Sequence, residues 1–440
     1  MRALRQSARR ARRRIAGLPD ELTQRGDYLS REEALHRLGI KPQTLYSYVS
    51  RGRIHSIRSG RRSLYSREDV ERAQSRTAAR SGAGPAAAGA IRWGEPVITT
   101  FITEISAEGP RYRGIPAADL VRARTRFENV AEYLWTGQLP EEPVIWACQP
   151  VPRGFDAFVA TAVRLHENSH PLQIMGLVVS ALGIGEGTRR ERIRRGRTPV
   201  EAARATIFAM IGTMGLLGPR RAFTPPVEGV PVAAQVLHAV APRAAADAVR
   251  AVDAALVLAA DHELNPATFA ARVAASGSGD MHSCIGAALH THYGTLVGRA
   301  CDRLEEMFPA DATPAAIVER AREMMRTARL LPGFNHLLYP RGDPRARKLL
   351  EIALLLGGAR PAVRNLMVAL RRLEDEFALR PSIECGLVAL CRAVGLPRRS
   401  AASLYALGRT AGWVAHVLEQ RLAGFVIRPR ARFAGGGTPP

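Results

Sequence analysis

The stretch LPGFNHLLYPRGDPRA, residues 331–346, decides how the C-terminal half of the chain is interpreted. A single histidine, His336, follows a glycine, an aromatic residue and an asparagine. A proline-interrupted loop and an Asp-Pro-Arg sequence ending at Arg345 come after it. The stretch is not typical of a buried core, and it does not have the pattern of an ordinary catalytic triad. Taken alone, His336 could be a hydrogen-bonded structural residue, so its meaning depends on the rest of the chain.

The composition is that of a globular protein, with 46% hydrophobic and 23% charged residues among 440. This length is sufficient for two or three domains. Residues 1–27 are basic but lack the apolar segment of a secretory signal, and no apolar run approaches the ~18 residues that cross a bilayer. We therefore predict a cytoplasmic protein with a basic disordered tail and no membrane partner. The five cysteines show no C-x-x-C pairing, which argues against a zinc ribbon or a disulfide framework.

Positive charge is concentrated at the N-terminus. The formal net charge is +23, and residues 1–80 hold 20 basic and 8 acidic side chains, a net of +12. This excess predicts a polyanionic partner for the N-terminal part. Six further arginines lie between Arg189 and Arg197. They predict a solvated or disordered loop, with a contact to DNA or to cofactor phosphates as the alternative.

Residues 28–76 have the pattern of a small winged helix-turn-helix module. A capping box from Ser30 to Glu33 opens a short helix that Gly39 ends, and a second helix begins near Pro42. Two short basic strands follow as a wing. The module resembles the winged helix-turn-helix of the MerR and excisionase type, which implies that DNA is a partner, with a docking module that binds no nucleic acid as the alternative. The resemblance places nine residues at the major groove or at phosphates: Lys41, Gln43, Thr44, Ser47, Arg51, Arg53, Arg58, Arg61 and Arg62.

A low-complexity Ala/Gly linker, residues 77–91, leads into a body of about 92–435 that is mostly helical in pattern. Apolar residues recur at helical spacing in TPAAIVERAREMMRTARLL, residues 313–331, and β-branched alternating runs are scarce. The body carries no Gly-rich dinucleotide or phosphate-loop fingerprint. The predicted fold class is therefore all-α.

Four ordered blocks of this body resemble the citrate synthase family. They are ADHELNPATFAARVAAS (260–276), the opening stretch, PSIECGLVALCRAVGLP (381–397), and LGRTAGWVAHVLEQR with IRPRARFAG (407–435). The segment EISAEGPRYRGIPAADL upstream fits the family's entry segment. The resemblance covers about 340 residues, and together with the helix-turn-helix it is similar to a bacterial citrate-synthase-like subfamily. It implies a two-domain helical body with a small domain of about 298–395, and a homodimer.

The resemblance also implies a reaction. Family members condense acetyl-CoA, a co-substrate rather than a tightly bound cofactor, with oxaloacetate or a similar 2-oxo acid. The product is citrate, as in the tricarboxylic acid cycle, or 2-methylcitrate. His336 matches the histidine that protonates the ketone, and Glu384 falls at the position of the carboxylate base. The substrate-binding positions fall on His262, Arg345, Arg409 and Arg428, the last of which comes from the partner subunit in the family.

Two positions depart from the family pattern. In GTLVGRACD, residues 294–302, the expected enol-stabilising histidine is Val297, which cannot donate a hydrogen bond. Deleting one such donor typically costs about 10²–10³ in rate. Glu384 stands where the family has an aspartate, and its extra methylene moves the carboxylate oxygens. Arg299 could substitute as a donor.

Two hypotheses from different classes therefore stay open. One is an acyl-CoA-condensing synthase with an altered pair of catalytic groups. The other is a DNA-binding regulator whose synthase-like body is an inactive ligand-sensing or dimerisation scaffold. No metal is expected, because His290 and His292 lie about 200° apart on a helix and cannot share an ion.

Overall fold

The computed structural model describes residues 28–50, 54–59, 62–67, 69–70, 73, 98–148, 152, 154–164, 169–184, 198–294, 298–326 and 331–429. The predicted tail, the predicted linker and the 189–197 arginine run lie outside these residues. The chain forms two compact units. The first contains Met1–Thr99 with Arg322–Leu330 and Asp375–Ala378, and the second contains the remainder. The small-domain boundaries of about 298–395 stay a prediction.

Among its described residues, the N-terminal module contains a three-stranded antiparallel sheet and two helices with defined bounds. The strands β1, β2 and β3 span Tyr28–Leu29, Ser56–Ser59 and Arg62–Ser66 and lie in the order β1-β3-β2, and the helices α1 and α2 span Arg31–Leu38 and Pro42–Ser50. The predicted capping box is confirmed, since Ser30 and Glu33 each accept from the other's backbone N–H at 3.2 and 2.8 Å. Gly39 ends α1 with φ of +61°, in the left-handed region that glycine favours. A small apolar core that includes Leu29, Leu45 and Ile54 holds the module together.

The second unit is almost entirely helical, apart from a small antiparallel sheet at its start. Its strands β4, β5 and β6 span Thr103–Ser106, Gly109–Tyr112 and Ile115–Pro116. Its first helices are α3 (Ala117–Arg122), α4 (Phe127–Thr136), α5 (Phe155–Arg164), α6 (Pro171–Ile184), α7 (Pro199–Met214), α8 (Val232–Val240) and α9 (Ala246–Ala259). The later helices are α10 (Pro266–Ser276), α11 (Met281–His292), α12 (Ala300–Met307), α13 (Pro314–Arg326), α14 (Pro344–Gly357), α15 (Pro361–Phe377), α16 (Ile383–Val394) and α17 (Ser400–Ala423). Helices α13 and α15 have their last residues in the first unit. Among the described residues, no helix combines the length and apolar character needed to cross a membrane.

Helix α17 is the central element of the second unit, and its residues from Ser400 to Val417 are all buried. It packs against α9, α10, α11, α12 and α16. Gly412 allows the closest approach, because a Cβ at this position would collide with the carboxylate of Asp261. The Gly412 N–H donates to the carbonyl of Ala260 at 2.9 Å. The backbone just after α9 is therefore held directly against α17, beside Arg409.

The loop that carries His336 is anchored along the start of α16. Phe334 and Pro381 form an isolated β-bridge, and the N–H of Ser382 donates to the carbonyl of Gly333 at 2.8 Å. Asn335 has φ of +54° and its side chain accepts from the backbone N–H of Arg380 at 2.9 Å. Asparagine tolerates this left-handed conformation better than most residues. Asn335 therefore fixes the turn that presents the neighbouring His336.

Candidate active site

An aspartate–arginine pair at the start of α14 forms one wall of the site. Asp343 caps the helix, and its two carboxylate oxygens accept from the Arg345 Nε and Nη2 at 3.0 and 2.8 Å. Asp343 also accepts from the backbone N–H of Ile383 at 3.1 Å, which ties α14 to α16. Both side chains are buried, yet the Nη1 of Arg345 has no hydrogen-bond partner in the part of the chain that the structure describes. Asp343 thus fixes the Arg345 guanidinium through its Nε and Nη2, while the buried N–H groups of Nη1 are left without an acceptor.

Two histidines and a tyrosine lie next to this pair. The rings of His262 and His336 are 5.0 Å apart between centroids, and the Nε2 of His262 is 2.9 Å from the hydroxyl of Tyr339. The guanidinium carbon of Arg345 lies 5.6 Å from the centre of the Tyr339 ring. Burial, followed by the positive charge of Arg345, lowers the pKa of His262 well below its ordinary value. This histidine is therefore neutral near pH 7.

The protonation of His336 is also set by its surroundings. Its Nδ1 accepts from the backbone N–H of Leu338 at 3.2 Å, so the neutral ring carries its proton on Nε2. Burial and the Arg345 charge lower the pKa of His336 to about 4, although Asp343 acts in the opposite direction. At neutral pH, His336 therefore offers an Nε2–H donor and not a positive charge.

A second arginine is held from α17. Arg409 is fully buried, with its Nη1 3.1 Å from the Asp261 carboxylate and its Nη2 donating to the Thr268 hydroxyl at 2.6 Å. The Asp261 carboxylate also faces the Nε2 of His416 at 3.3 Å. Burial acts to raise the pKa of Asp261, but His416 and Arg409 outweigh it and hold that pKa below its ordinary value. The Nη1 of Arg409 is ion-paired with Asp261, whereas its Nε makes no hydrogen bond within the described residues, so this guanidinium also keeps an unsatisfied donor.

Glu384 lies in the first turn of α16, after the anchored loop. Burial raises the pKa of Glu384 to about 7, with Arg345 lowering it and Asp343 raising it by smaller amounts. A carboxyl group with this pKa can both take up and release a proton near neutral pH.

Three of the sequence-predicted residues, His262, His336 and Arg345, are in contact around Tyr339. Arg409 and Glu384 interact electrostatically with them, since Arg409 lowers the pKa of His262 and Arg345 lowers that of Glu384. Arg428 is exposed and lies in the segment that follows α17. Val297 lies outside the described residues. Arg299 has its Nε 3.6 Å from Asp302 and its guanidinium carbon 5.5 Å from the centre of the Tyr293 ring. Its Nε makes no hydrogen bond within the described residues.

Sequence reasoning missed the partners that set these side chains. Tyr339 and Asp343 are both within the opening stretch, and Asp261 directly precedes His262. The Asp-Pro-Arg sequence carried a usable signal, because an aspartate before a proline at the first helical position is a typical cap. Tyr339 gave no comparable signal, since its contact with His262 spans 77 residues of sequence.

The predicted nucleic-acid residues are only partly described. Lys41 and Gln43 are exposed at the start of α2, and Thr44 and Ser47 are partly buried. Arg51, Arg53 and Arg61 lie outside the described residues. Arg58 and Arg62 lie in β2 and β3, but their side chains are not described.

The fold defines a helical body that follows a helix-turn-helix module in the sequence. Residues 91–430 match the family model of the citrate synthase C-terminal domain, and residues 28–77 match a helix-turn-helix domain. Because the first match covers most of the chain, the chain belongs to the citrate synthase family.

Relatives and solved structures agree with this assignment. A 2-methylcitrate synthase of Mycobacterium tuberculosis is 27% identical over 359 residues, covering 78% of this chain and 89% of that protein. A citrate synthase of Mycolicibacterium smegmatis is 28% identical over 366 residues, covering 78% of this chain and 94% of that protein. The citrate synthase of Thermoplasma acidophilum, solved with carboxymethyl coenzyme A and oxaloacetate, matches with a TM-score of 0.65 at 24% identity, covering 78% of this chain and 95% of that one. The last likeness concerns the fold alone.

Proposed function

We propose that this protein condenses acetyl-CoA, or a related acyl-CoA, with oxaloacetate or a similar 2-oxo acid. The observation that carries the proposal is a carboxyl group with a pKa of about 7 beside two neutral histidines and two buried arginines. The names of the relatives, citrate synthase and 2-methylcitrate synthase, support the same reaction class. The acyl-CoA is a co-substrate in this proposal, and no tightly bound cofactor is required.

The arginines support a dicarboxylate as the second substrate. The Nη1 of Arg345 and the Nε of Arg409 are buried N–H donors without a hydrogen-bond partner among the described residues. Such donors are costly when left unpaired, and a carboxylate is their best acceptor. The positive charges of both arginines act on His262, because each of them lowers its pKa. We assign these three residues to the carboxylates and the carbonyl of the 2-oxo acid.

The chemistry follows from the remaining two groups. The ionised Glu384 takes a proton from the acyl methyl group, and the C–H electron pair moves into the enolate. The enolate carbon then attacks the ketone carbon, forming one C–C bond while the ketone π electrons pass to oxygen. His336 directs its Nε2–H at that oxygen, whose basicity rises as the bond forms, and it is the proton donor in this scheme. Hydrolysis of the thioester then releases free CoA.

Arg428 and the oligomer belong to the same proposal. The cluster holds two arginines, and family architecture brings a third from the partner subunit. We assign this role to Arg428, which is exposed after α17 and free of the cluster in its own chain. The protein is then a homodimer, and its predicted location in the cytoplasm is unchanged.

A second candidate function is a DNA-binding regulator with an inactive synthase-like body. The observation that favours it is the match of residues 28–77 to a helix-turn-helix domain. The valine at position 297 also fits a body that binds dicarboxylates without turning them over.

One experiment separates the two functions. The purified full chain is mixed with oxaloacetate and either acetyl-CoA or propionyl-CoA, and release of the free thiol is followed. The proposed synthase releases thiol only when both substrates are present, and the preferred acyl chain identifies the product. A chain that binds oxaloacetate by calorimetry but releases no thiol with either acyl-CoA would support the regulator instead.

A further inference from the structure

We propose that the hydroxyl of Tyr405 donates the hydrogen bond to the enolate oxygen of the acyl-CoA, in place of the histidine that the chain lacks. This inference rests on the proposed condensation. It assigns a further catalytic residue, because a thioester enolate needs a donor at its oxygen and valine at position 297 cannot supply one.

Tyr405 is placed on the correct face of α17. It precedes Arg409 by four residues, and side chains at this spacing lie on the same face of a helix. The residue is only 5% exposed. No hydrogen bond of its hydroxyl occurs within the described residues, and the oxygen is not among the fully enclosed polar atoms. A buried tyrosine hydroxyl usually has a hydrogen-bond partner. Because this hydroxyl has none among the described residues, it is available to a ligand.

The charged groups around Tyr405 are those of the candidate site. Burial is the main cause of its raised pKa, and Glu384 raises that pKa further while Arg345 and Arg409 lower it. The hydroxyl thus remains protonated and lies within electrostatic reach of the base. The methyl carbon that Glu384 would deprotonate is only two bonds from the thioester oxygen, roughly 2.4 Å away. A donor for that oxygen must therefore lie near Glu384, and Glu384 is the charged group that most strongly affects the pKa of Tyr405.

Tyr405 also contacts His292, which precedes in the sequence the position at which the family histidine is expected. Its ring meets the ring of His292 edge-on, with 5.2 Å between centroids. The carbonyl of His292 accepts from the N–H of Gly298 at 2.8 Å, and Gly298 directly follows Val297 in the sequence. Through His292, Tyr405 is therefore linked to the residue that follows position 297 in the sequence.

The other candidate donors near this point are less suitable. His292 is fully buried, and within the described residues both its ring nitrogens are enclosed without a partner. Its ring also packs edge-on against Trp413, with 5.5 Å between centroids. Arg299 lies 3.6 Å from the Asp302 carboxylate and against the Tyr293 ring, although its Nε makes no hydrogen bond within the described residues. Tyr405 differs from His292 in that its unused donor is not fully enclosed.

The test is Tyr405→Phe in the full chain, which removes one oxygen and keeps the ring. We expect kcat for condensation to fall by about 10²–10³, the typical cost of one such donor. Exchange of the acyl-CoA methyl hydrogens with deuterated water should fall in parallel, because the same enolate is formed. The Kd of oxaloacetate by calorimetry should stay within about twofold, since the arginines are intact.

Two further variants complete the test. Tyr293→Phe removes a tyrosine hydroxyl outside the cluster and should leave kcat and exchange unchanged. Val297→His in the Tyr405→Phe background should recover most of the lost rate, because either residue would serve the same oxygen. Full kcat and exchange in Tyr405→Phe would overturn this inference while leaving the condensation proposal intact. A wild-type protein with neither turnover nor exchange would overturn both.

Discussion

Glu384 is the residue whose ionisation should control the reaction rate. Burial raises its pKa to about 7, so about half of the protein carries the basic form at neutral pH. The histidines do not titrate in the same range, since the pKa of His336 is lowered to about 4 and that of His262 is also lowered. The pH dependence near neutrality should therefore report Glu384.

We expect kcat/KM to rise about tenfold per pH unit below pH 7 and to level off above it, because only the ionised carboxylate accepts a proton. Glu384→Gln should lower kcat by about 10²–10⁴ and remove this limb of the profile. Initial rates between pH 5.5 and 9 with both proteins measure the effect. A wild-type profile that is flat across this range would contradict the assignment of the base.

At the scale of single elements, the start of α4 depends on a titratable side chain from another helix. The backbone N–H of Phe127, the first residue of α4, donates to the Asp253 carboxylate of α9 at 3.0 Å. Burial raises the pKa of Asp253 to about 7, and the nearby Glu128 raises it further. Since the unfolded value is about 3.9, the folded state holds an extra proton between these values. The free energy of unfolding should therefore fall as the pH rises from about 4 to 7.

We expect Asp253→Asn to gain stability relative to the wild type as the pH increases. The amide oxygen still accepts from Phe127, but no buried charge forms. The difference in Tm between variant and wild type should become more positive from pH 5.5 to pH 8, as measured by calorimetry. Asp247→Asn is the matched control, because Asp247 lies exposed on the same helix and should show no such trend. An equal change in both variants would mean that Asp253 does not titrate in this window.

At the scale of the whole molecule, the completeness of the site depends on a second copy of the chain. If Arg428 reaches the partner's cluster, the protein is a dimer at micromolar concentration by light scattering. Arg428→Ala should then weaken oxaloacetate binding by about 10-fold or more, because one charge-assisted hydrogen bond is lost. Mixing Arg428→Ala with an Arg409→Ala chain should restore part of the activity, since one site of each heterodimer keeps both arginines. A monomeric wild type, or no recovery on mixing, would contradict this architecture.

The N-terminal module makes an independent prediction. Deleting residues 1–80 should abolish binding to double-stranded DNA and remove its salt dependence, because much of the excess positive charge lies there. The circular dichroism of the truncated protein serves as the control for folding. Binding of the truncated protein with unchanged affinity would move the DNA contact elsewhere, for example to the 189–197 arginine run.

The sequence by itself determined the features that depend on neighbouring residues. The capping box from Ser30 to Glu33 and the end of α1 at Gly39 follow from side chains within four residues of the backbone groups that they satisfy. The helical character of the body follows from the spacing of its apolar residues. The resemblance of ordered motifs identified the family and pointed to His262, His336, Arg345, Glu384 and Arg409, whose roles stay proposals.

Only the tertiary structure decided the state of those side chains. The contact of His262 with Tyr339, 77 residues away, and that of Asp261 with His416, 155 residues away, depend on how distant helices pack. Burial sets the pKa of Glu384, and the same packing leaves the Tyr405 hydroxyl without a partner among the described residues. Desolvation and pairing are properties of the complete environment of a group, to which residues far apart in the chain contribute. A local sequence pattern cannot predict that environment.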